Sequence, residues 1–110
     1  MPPQFWFNYI DHETRIRTRM TTSARGMVSK FTLQLELLFE EGWVPVVRYD
    51  SAHDEAHIDY INPKGMTYNK IWLNLTAPFN DAFTLAENEL KSTFKEHRAR
   101  FTHQMEEMHS

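Results

Sequence analysis

The chain has 110 residues, of which 41% are hydrophobic and 14% aromatic, and it carries a net charge of −3 with no cysteine. This size and composition predict one folded α+β domain over residues 1–110. The absence of thiols excludes disulfides, thiolate zinc sites and cysteine catalysis. The N-terminus has no basic and apolar leader and no apolar stretch reaches membrane-spanning length, so we expect a cytoplasmic protein without a membrane contact.

The charge is segregated along the chain. Residues 14–35 contain five basic residues and no acid, whereas residues 36–62 contain seven acids and a single arginine. Two interpretations follow. The two segments face each other in the fold or across a dimer, or the basic segment forms a strip that binds an anion.

Residues 5–10 and 14–20 are rich in aromatic and β-branched residues, which predicts either a hairpin turning at 11–13 or one long strand. Three arginines share one face of the second segment, because side chains alternate along a strand: Arg15, Arg17 and Arg19. They could bind phosphates while neighbouring aromatics stack on bases; the aromatics are Phe5, Trp6 and Phe7. The isoelectric point of about 6.0 argues against a dedicated nucleic-acid binder, so this interpretation ranks low.

Two segments have apolar residues at helical spacing. Residues 27–41 predict a helix that ends at Gly42, with a stripe formed by Val28, Phe31, Leu35, Leu38 and Phe39. Residues 79–108 predict a second helix, about 40 Å long at 1.5 Å per residue, which protrudes past the body. Its apolar stripe predicts a homodimer formed through this C-terminal helix.

Three further strands are predicted at 43–50, about 56–62 and 67–75, and Asn62–Gly65 has the residues of a turn. Taken together, the segments predict an α+β fold: an antiparallel sheet of four or five strands with two helices on one face.

The strands 43–50 and 56–62 predict a hairpin in which Asp50 lies opposite His57 and Arg48 opposite Asp59. This register directs one set of side chains into the core: Val47, Tyr49, Ile58 and Tyr60. The other face then gathers the candidate catalytic residues, with the loop histidine folding over them: Arg48, Asp50, His53, His57 and Asp59.

Three interpretations of this group are open. His53, His57 and Asp59 could bind a divalent metal ion, the only cofactor that the sequence suggests. Alternatively, an aspartate could orient His57 for proton transfer while Arg48 stabilises an anionic intermediate. The plainest interpretation is a cross-strand ion pair between Arg48 and Asp59, with Asp50 capping the turn and both histidines in solvent.

The stretch Trp43–His53, followed by His57-x-Asp59 and Pro63-x-Gly65, resembles a family of small uncharacterised prokaryotic proteins. Their pattern is approximately Trp-x-Pro-Val-x-Arg-Tyr-Asp-x-Ala-His-x-x-x-His-x-Asp, then Pro-x-Gly, and the similarity covers about residues 31–100. Similar short proteins with an Arg-Tyr-Asp-x-x-His element are regarded, by analogy, as toxin-like partners of small regulators. The resemblance marks the five hairpin residues as matching positions and implies no particular activity.

From these features we expect a small cytoplasmic binding or regulatory protein that acts through contacts with another macromolecule, in a toxin or defence system. A protein partner is the first expectation and nucleic acid the second. One alternative is a small hydrolase or nuclease that uses the hairpin residues. The other is an oligomeric assembly protein that acts through its C-terminal helix.

Overall fold

The computed structural model describes residues 2–51, 56–73 and 79–109. Within these ranges the chain forms six strands and one helix. The strands are β1 (Gln4–Asp11), β2 (Thr14–Thr22), β3 (Val28–Phe39), β4 (Gly42–Asp50), β5 (His57–Ile61) and β6 (Thr67–Trp72), and the helix is α1 (Phe79–Met108). All six strands belong to one antiparallel sheet in chain order.

The expected architecture of four or five strands with two helices is therefore wrong. Residues 27–41 contribute a central strand, β3, instead of the first helix. Its buried apolar residues recur at two-residue steps, which is the strand period: Phe31, Leu33, Leu35 and Leu37. Gly42, at φ 118°, follows a two-residue hairpin turn between β3 and β4, and it does not cap a helix.

The single helix packs on one face of the sheet, mainly over β3 and β4. Its buried residues extend from Ala82 to Phe101, and Met105 also packs against the core. Phe101 is only 1% exposed, with its ring 6.0 Å from that of Phe39. The helix is docked along most of its length, so the expected protrusion is wrong. The sheet is long enough to cover it, because twelve-residue β3 spans about 41 Å.

Polar contacts fix the helix to several strands. Arg98 binds Asp11 of β1 at 2.8 Å and also donates to Thr14. Arg100 donates to the backbone oxygen of Val46 and to the hydroxyl of Tyr68, each at 2.7 Å. Because α1 reaches β1, β4 and β6 in this way, its position over the sheet is defined at both edges and at the centre.

The hairpins follow the sequence closely. Residues 5–20 form a hairpin, β1 and β2, and not one long strand. The predicted turn is present at Asn62–Gly65, where the amide of Gly65 donates to the oxygen of Asn62 at 2.9 Å. No helix in the described ranges is both long enough and apolar enough to cross a membrane.

Candidate binding face of the sheet

The sheet face opposite α1 carries an array of polar and charged side chains. Two rows of them align across all six strands, because the register shifts between neighbouring strands lie outside these rows. One cross-strand row contains Phe5, Arg19, Thr32, Asp50, His57 and Trp72. The next row contains Phe7, Arg17, Gln34, Arg48, Asp59 and Lys70. Together with Tyr9, Arg15, Glu36, Trp43, Lys30 and Thr21, we call these residues the polar face.

The polar face concentrates positive charge in a chain that is acidic overall. It contains six of the twelve basic residues and only three of the fifteen acids. The bases are Arg15, Arg17, Arg19, Lys30, Arg48 and Lys70, and the acids are Glu36, Asp50 and Asp59. The interpretation that the two charged segments face each other is realised in part, since Arg15 of β2 pairs with Glu36 of β3. The anion-binding interpretation stays a prediction.

Arg15 is held by its neighbours. Its guanidinium lies 4.0 Å from the centre of the Phe7 ring and 4.2 Å from that of Trp43, and its Nε donates to Glu36 at 2.7 Å. Burial favours a lower pKa for Arg15, but the hydrogen bonds to Glu36 and Tyr9 outweigh it, so the pKa stands above its ordinary value. Arg15 is consequently part of the folded framework.

A hydrogen-bond network continues from Glu36 across the sheet. The Nε2 atom of Gln34 donates to Glu36 at 2.6 Å, and Arg48 donates twice to the Oε1 atom of Gln34, at 2.8 and 2.7 Å. Glu36 and Gln34 are both buried, and both form hydrogen bonds with neighbouring side chains, as buried polar groups require. The hydrogen bonds to Gln34 fix the position of Arg48, whose side chain stays half-buried at the surface of the sheet.

Arg17 and Arg19 differ from Arg15. Both are exposed, and within the described ranges neither forms an ion pair with a carboxylate. Their guanidinium groups lie 5.9 and 5.6 Å from the centre of the Phe5 ring. A cavity of about 370 Å³ lies beside them, bounded by Phe5 on one side and by Arg48 on the other. Three guanidinium groups therefore line one open cavity.

A second cavity, of about 310 Å³, adjoins the first and includes Lys30. Arg19, Thr32 and Asp50 line both cavities. The two cavities therefore lie side by side on the polar face, and we call them together the trough. Because cations dominate its lining, this trough suits a ligand with repeated negative charges.

The predicted hairpin register is confirmed, with Asp50 opposite His57 and Arg48 opposite Asp59. Val47, Tyr49 and Ile58 belong to the core, and Tyr60 packs against it. The plain interpretation of the polar partners is wrong in two respects. Arg48 hydrogen-bonds to Gln34 rather than to Asp59, and His57 is only 4% exposed rather than solvated.

His57 and Asp59 form a buried pair at one end of the polar face. The Nε2 atom of His57 lies 3.4 Å from Asp59 Oδ2, and Lys70 approaches the other carboxylate oxygen at 3.6 Å. The His57 ring packs 5.1 Å from the Trp72 ring. Its Nδ1 atom is buried and accepts or donates no hydrogen bond among the described residues.

The other hairpin residue, His53, lies outside the described residues, so the complete five-residue group stays a prediction. Among the residues that are described, no three His, Asp or Glu side chains are placed to share a metal ion. The pair of His57 and Asp59 is the part of the predicted group that the structure brings into direct contact.

Sequence reasoning missed the residues that join the two ends of the polar face. The helix predicted over 27–41 includes Gln34 and Glu36, and the predicted strands include Trp43 and Trp72 without a role in the site. The alternation of Thr32, Gln34 and Glu36 with leucines was the signal that could have found the first group. Once β3 is a strand, the register places its polar residues directly between the arginines of β2 and those of β4.

The fold and this face define a two-layer α+β protein, with a helix on one side of an antiparallel sheet and a cationic, aromatic face on the other. The chain belongs to the family described as Domain of unknown function (DUF7718), which matches residues 1–107. No curated protein and no solved structure matches it significantly. The match agrees with the expectation of an uncharacterised family, and it includes strand β2, which the motif resemblance did not cover.

Proposed function

We propose that this protein is a small nucleic-acid-binding protein that uses the polar face of its sheet. The observation that carries the proposal is the pair Arg17 and Arg19, which are exposed, have no carboxylate partner among the described residues and line a cavity with Arg48. Phosphate groups are the ligands for which such a set of guanidinium groups is best suited. Exposed aromatic rings beside them add contacts that bases can use.

The acidic isoelectric point does not oppose this proposal, because the charge is unevenly distributed. The polar face has three more bases than acids, while the rest of the chain has six more acids than bases. Electrostatic attraction acts over about 8 Å at physiological salt, so the local charge of the face governs a bound phosphate more than the net charge does. The acidic remainder also disfavours binding in other orientations.

The earlier expectations rank below this function for physical reasons. A hydrolase would use His57 and Asp59, yet both are buried whereas Arg17 and Arg19 are exposed, so the geometry supports binding before catalysis. An assembly role would use the apolar stripe of α1, which the sheet already covers. A toxin or defence system agrees with a nucleic-acid binder, and the motif resemblance is its only support.

The test is a fluorescence anisotropy titration of a labelled mixed-sequence oligonucleotide at about 50 mM salt. We expect saturable binding that the variant Arg17→Ala/Arg19→Ala weakens at least tenfold. The matched control is Lys91→Ala/Lys95→Ala, which removes the same charge from exposed positions on α1 and should retain wild-type affinity. Absence of binding, or equal losses in the two variants, would refute the proposal; binding of an acidic protein in its place would identify a different class of partner.

A further inference from the structure

The polar face carries exposed aromatic rings at both ends of a single cross-strand row. Phe5 on edge strand β1 is 56% exposed, and Trp72 on edge strand β6 is 49% exposed. Both belong to the row that contains Arg19 and Thr32. Large exposed apolar side chains on a charged face mark a contact surface, and here the surface has a cationic middle and an aromatic plane at each end.

The two rings have different surroundings from the other aromatics of this face. Phe7 and Trp43 enclose the guanidinium of Arg15, and Tyr9 packs on Trp43 with ring centres 5.9 Å apart. These rings stabilise the fold. Phe5 instead has cation–π contacts with the exposed Arg17 and Arg19, and Trp72 contacts His57 and Lys70. About half of each side chain stays exposed, so each can meet a ligand.

The distance between the rings of Phe5 and Trp72 suits a ligand that extends across the whole sheet. Neighbouring strands are about 4.8 Å apart, so the five steps from β1 to β6 cover about 24 Å. A single strand of nucleic acid bound on one sheet typically occupies at least about four nucleotides. The trough beside Arg17, Arg19 and Arg48 lies between the two rings, where the phosphates of such a strand would pass.

We infer that the ligand of the polar face is single-stranded rather than duplex nucleic acid, with one base stacked on Phe5, another on Trp72 and the intervening phosphates at Arg17, Arg19 and Arg48. This inference rests on the proposed function. In a duplex the base faces are already stacked on each other, so only phosphates, sugars and base edges would be accessible and neither exposed ring could stack on a base. In a single strand every base presents a π-face.

The test compares one labelled ten-nucleotide strand, as RNA and as DNA, with the same sequence in a duplex, using anisotropy with wild-type protein and three variants. Phe5→Leu removes a stacking plane while it retains an apolar side chain, and Phe5→Tyr restores a ring. The matched control is Leu85→Ala, because Leu85 on α1 is also 56% exposed. Quenching of the Trp72 fluorescence, measured as the difference from Trp72→Phe, reports stacking at the other end.

We expect the single strand to bind at least tenfold more tightly than the duplex. Phe5→Leu should lose about fivefold or more of the single-strand affinity, whereas Phe5→Tyr and Leu85→Ala should retain it. The inference is overturned if the duplex binds as tightly as the single strand, or if Phe5→Leu is silent, while the arginine variant still loses affinity. Loss of all binding with every probe would instead overturn the proposed function.

Discussion

Arg15 and Arg17 differ by two positions in the sequence and occupy the same face of β2, yet the structure assigns them opposite roles. Replacement of Arg15 by alanine removes the ion pair with Glu36, which joins side chains that are 15% and 6% exposed. It also removes the cation–π contacts with Phe7 and Trp43 and a more distant one with Tyr9. Replacement of Arg17 removes no ion pair among the described residues and one distant ring contact of 5.9 Å.

The size of the loss in unfolding free energy for Arg15→Ala depends on the interactions that Glu36 keeps. Removal of one partner of a buried ion pair costs about 3–5 kcal/mol, because the other charge stays buried, and the cation–π contacts add about 0.5–1 kcal/mol each. Gln34 still donates to Glu36, which favours the lower end. We therefore expect Arg15→Ala to lower the free energy of unfolding by about 4 kcal/mol. The expected change for Arg17→Ala is within about 0.5 kcal/mol.

The assay is urea unfolding followed by tryptophan fluorescence, in which Trp43 reports directly on the Arg15 environment. A double variant, Arg15→Met/Glu36→Leu, separates the buried charge from the lost packing. Because it removes both charges, it should be more stable than Arg15→Met alone. Equal stabilities of Arg15→Ala and Arg17→Ala, or a double variant that loses the sum of the two single changes, would refute this assignment of roles.

Two further predictions concern α1. Phe101→Ala should lower the free energy of unfolding by about 3–5 kcal/mol, because the ring is buried against the sheet. Met108→Ala, at the exposed end of the helix, should change it by less than about 0.5 kcal/mol. A neutral Phe101→Ala would mean that the helix is not docked. Burial first, and then Arg100, lower the pKa of His97, so its contribution to stability is complete above about pH 6.5 and is lost as the pH falls towards the folded-state pKa. The melting temperature of wild-type protein should therefore fall between pH 7.5 and 5.5, and His97→Gln should reduce that fall; an unchanged pH profile in the variant would contradict this prediction.

The sequence contained enough information for the β4–β5 hairpin. Its apolar residues Val47 and Tyr49 alternate with Arg48 and Asp50, and only one register buries the first pair without burying the second. The β3 strand was not accessible in the same way. Its polar residues Thr32, Gln34 and Glu36 do alternate with apolar ones, but Val28, Phe31, Leu35, Leu38 and Phe39 satisfy the helical period at the same time.

The prediction of a helix in place of β3 also limits how much of the polar face can be predicted from the sequence. The arginine face of β2 follows from alternation alone. The distinction between Arg15 and Arg17 does not, because it depends on Glu36 and Gln34, which lie beside them only when residues 28–39 form a strand. The expected homodimer stays a prediction for sedimentation analysis, but the apolar stripe of α1 that suggested it is occupied by the sheet.

The most direct test of the binding face is the salt dependence of single-strand affinity, because its slope counts the phosphates that the protein neutralises. Each phosphate contact on a single strand contributes about 0.7 to the slope of log K against log salt concentration. If Arg17 and Arg19 each bind one phosphate, the slope of the double alanine variant should be smaller than that of wild-type protein by about 1.4, while Lys91→Ala/Lys95→Ala leaves it unchanged. A slope that is the same in all three proteins would contradict the proposal that this face binds nucleic acid.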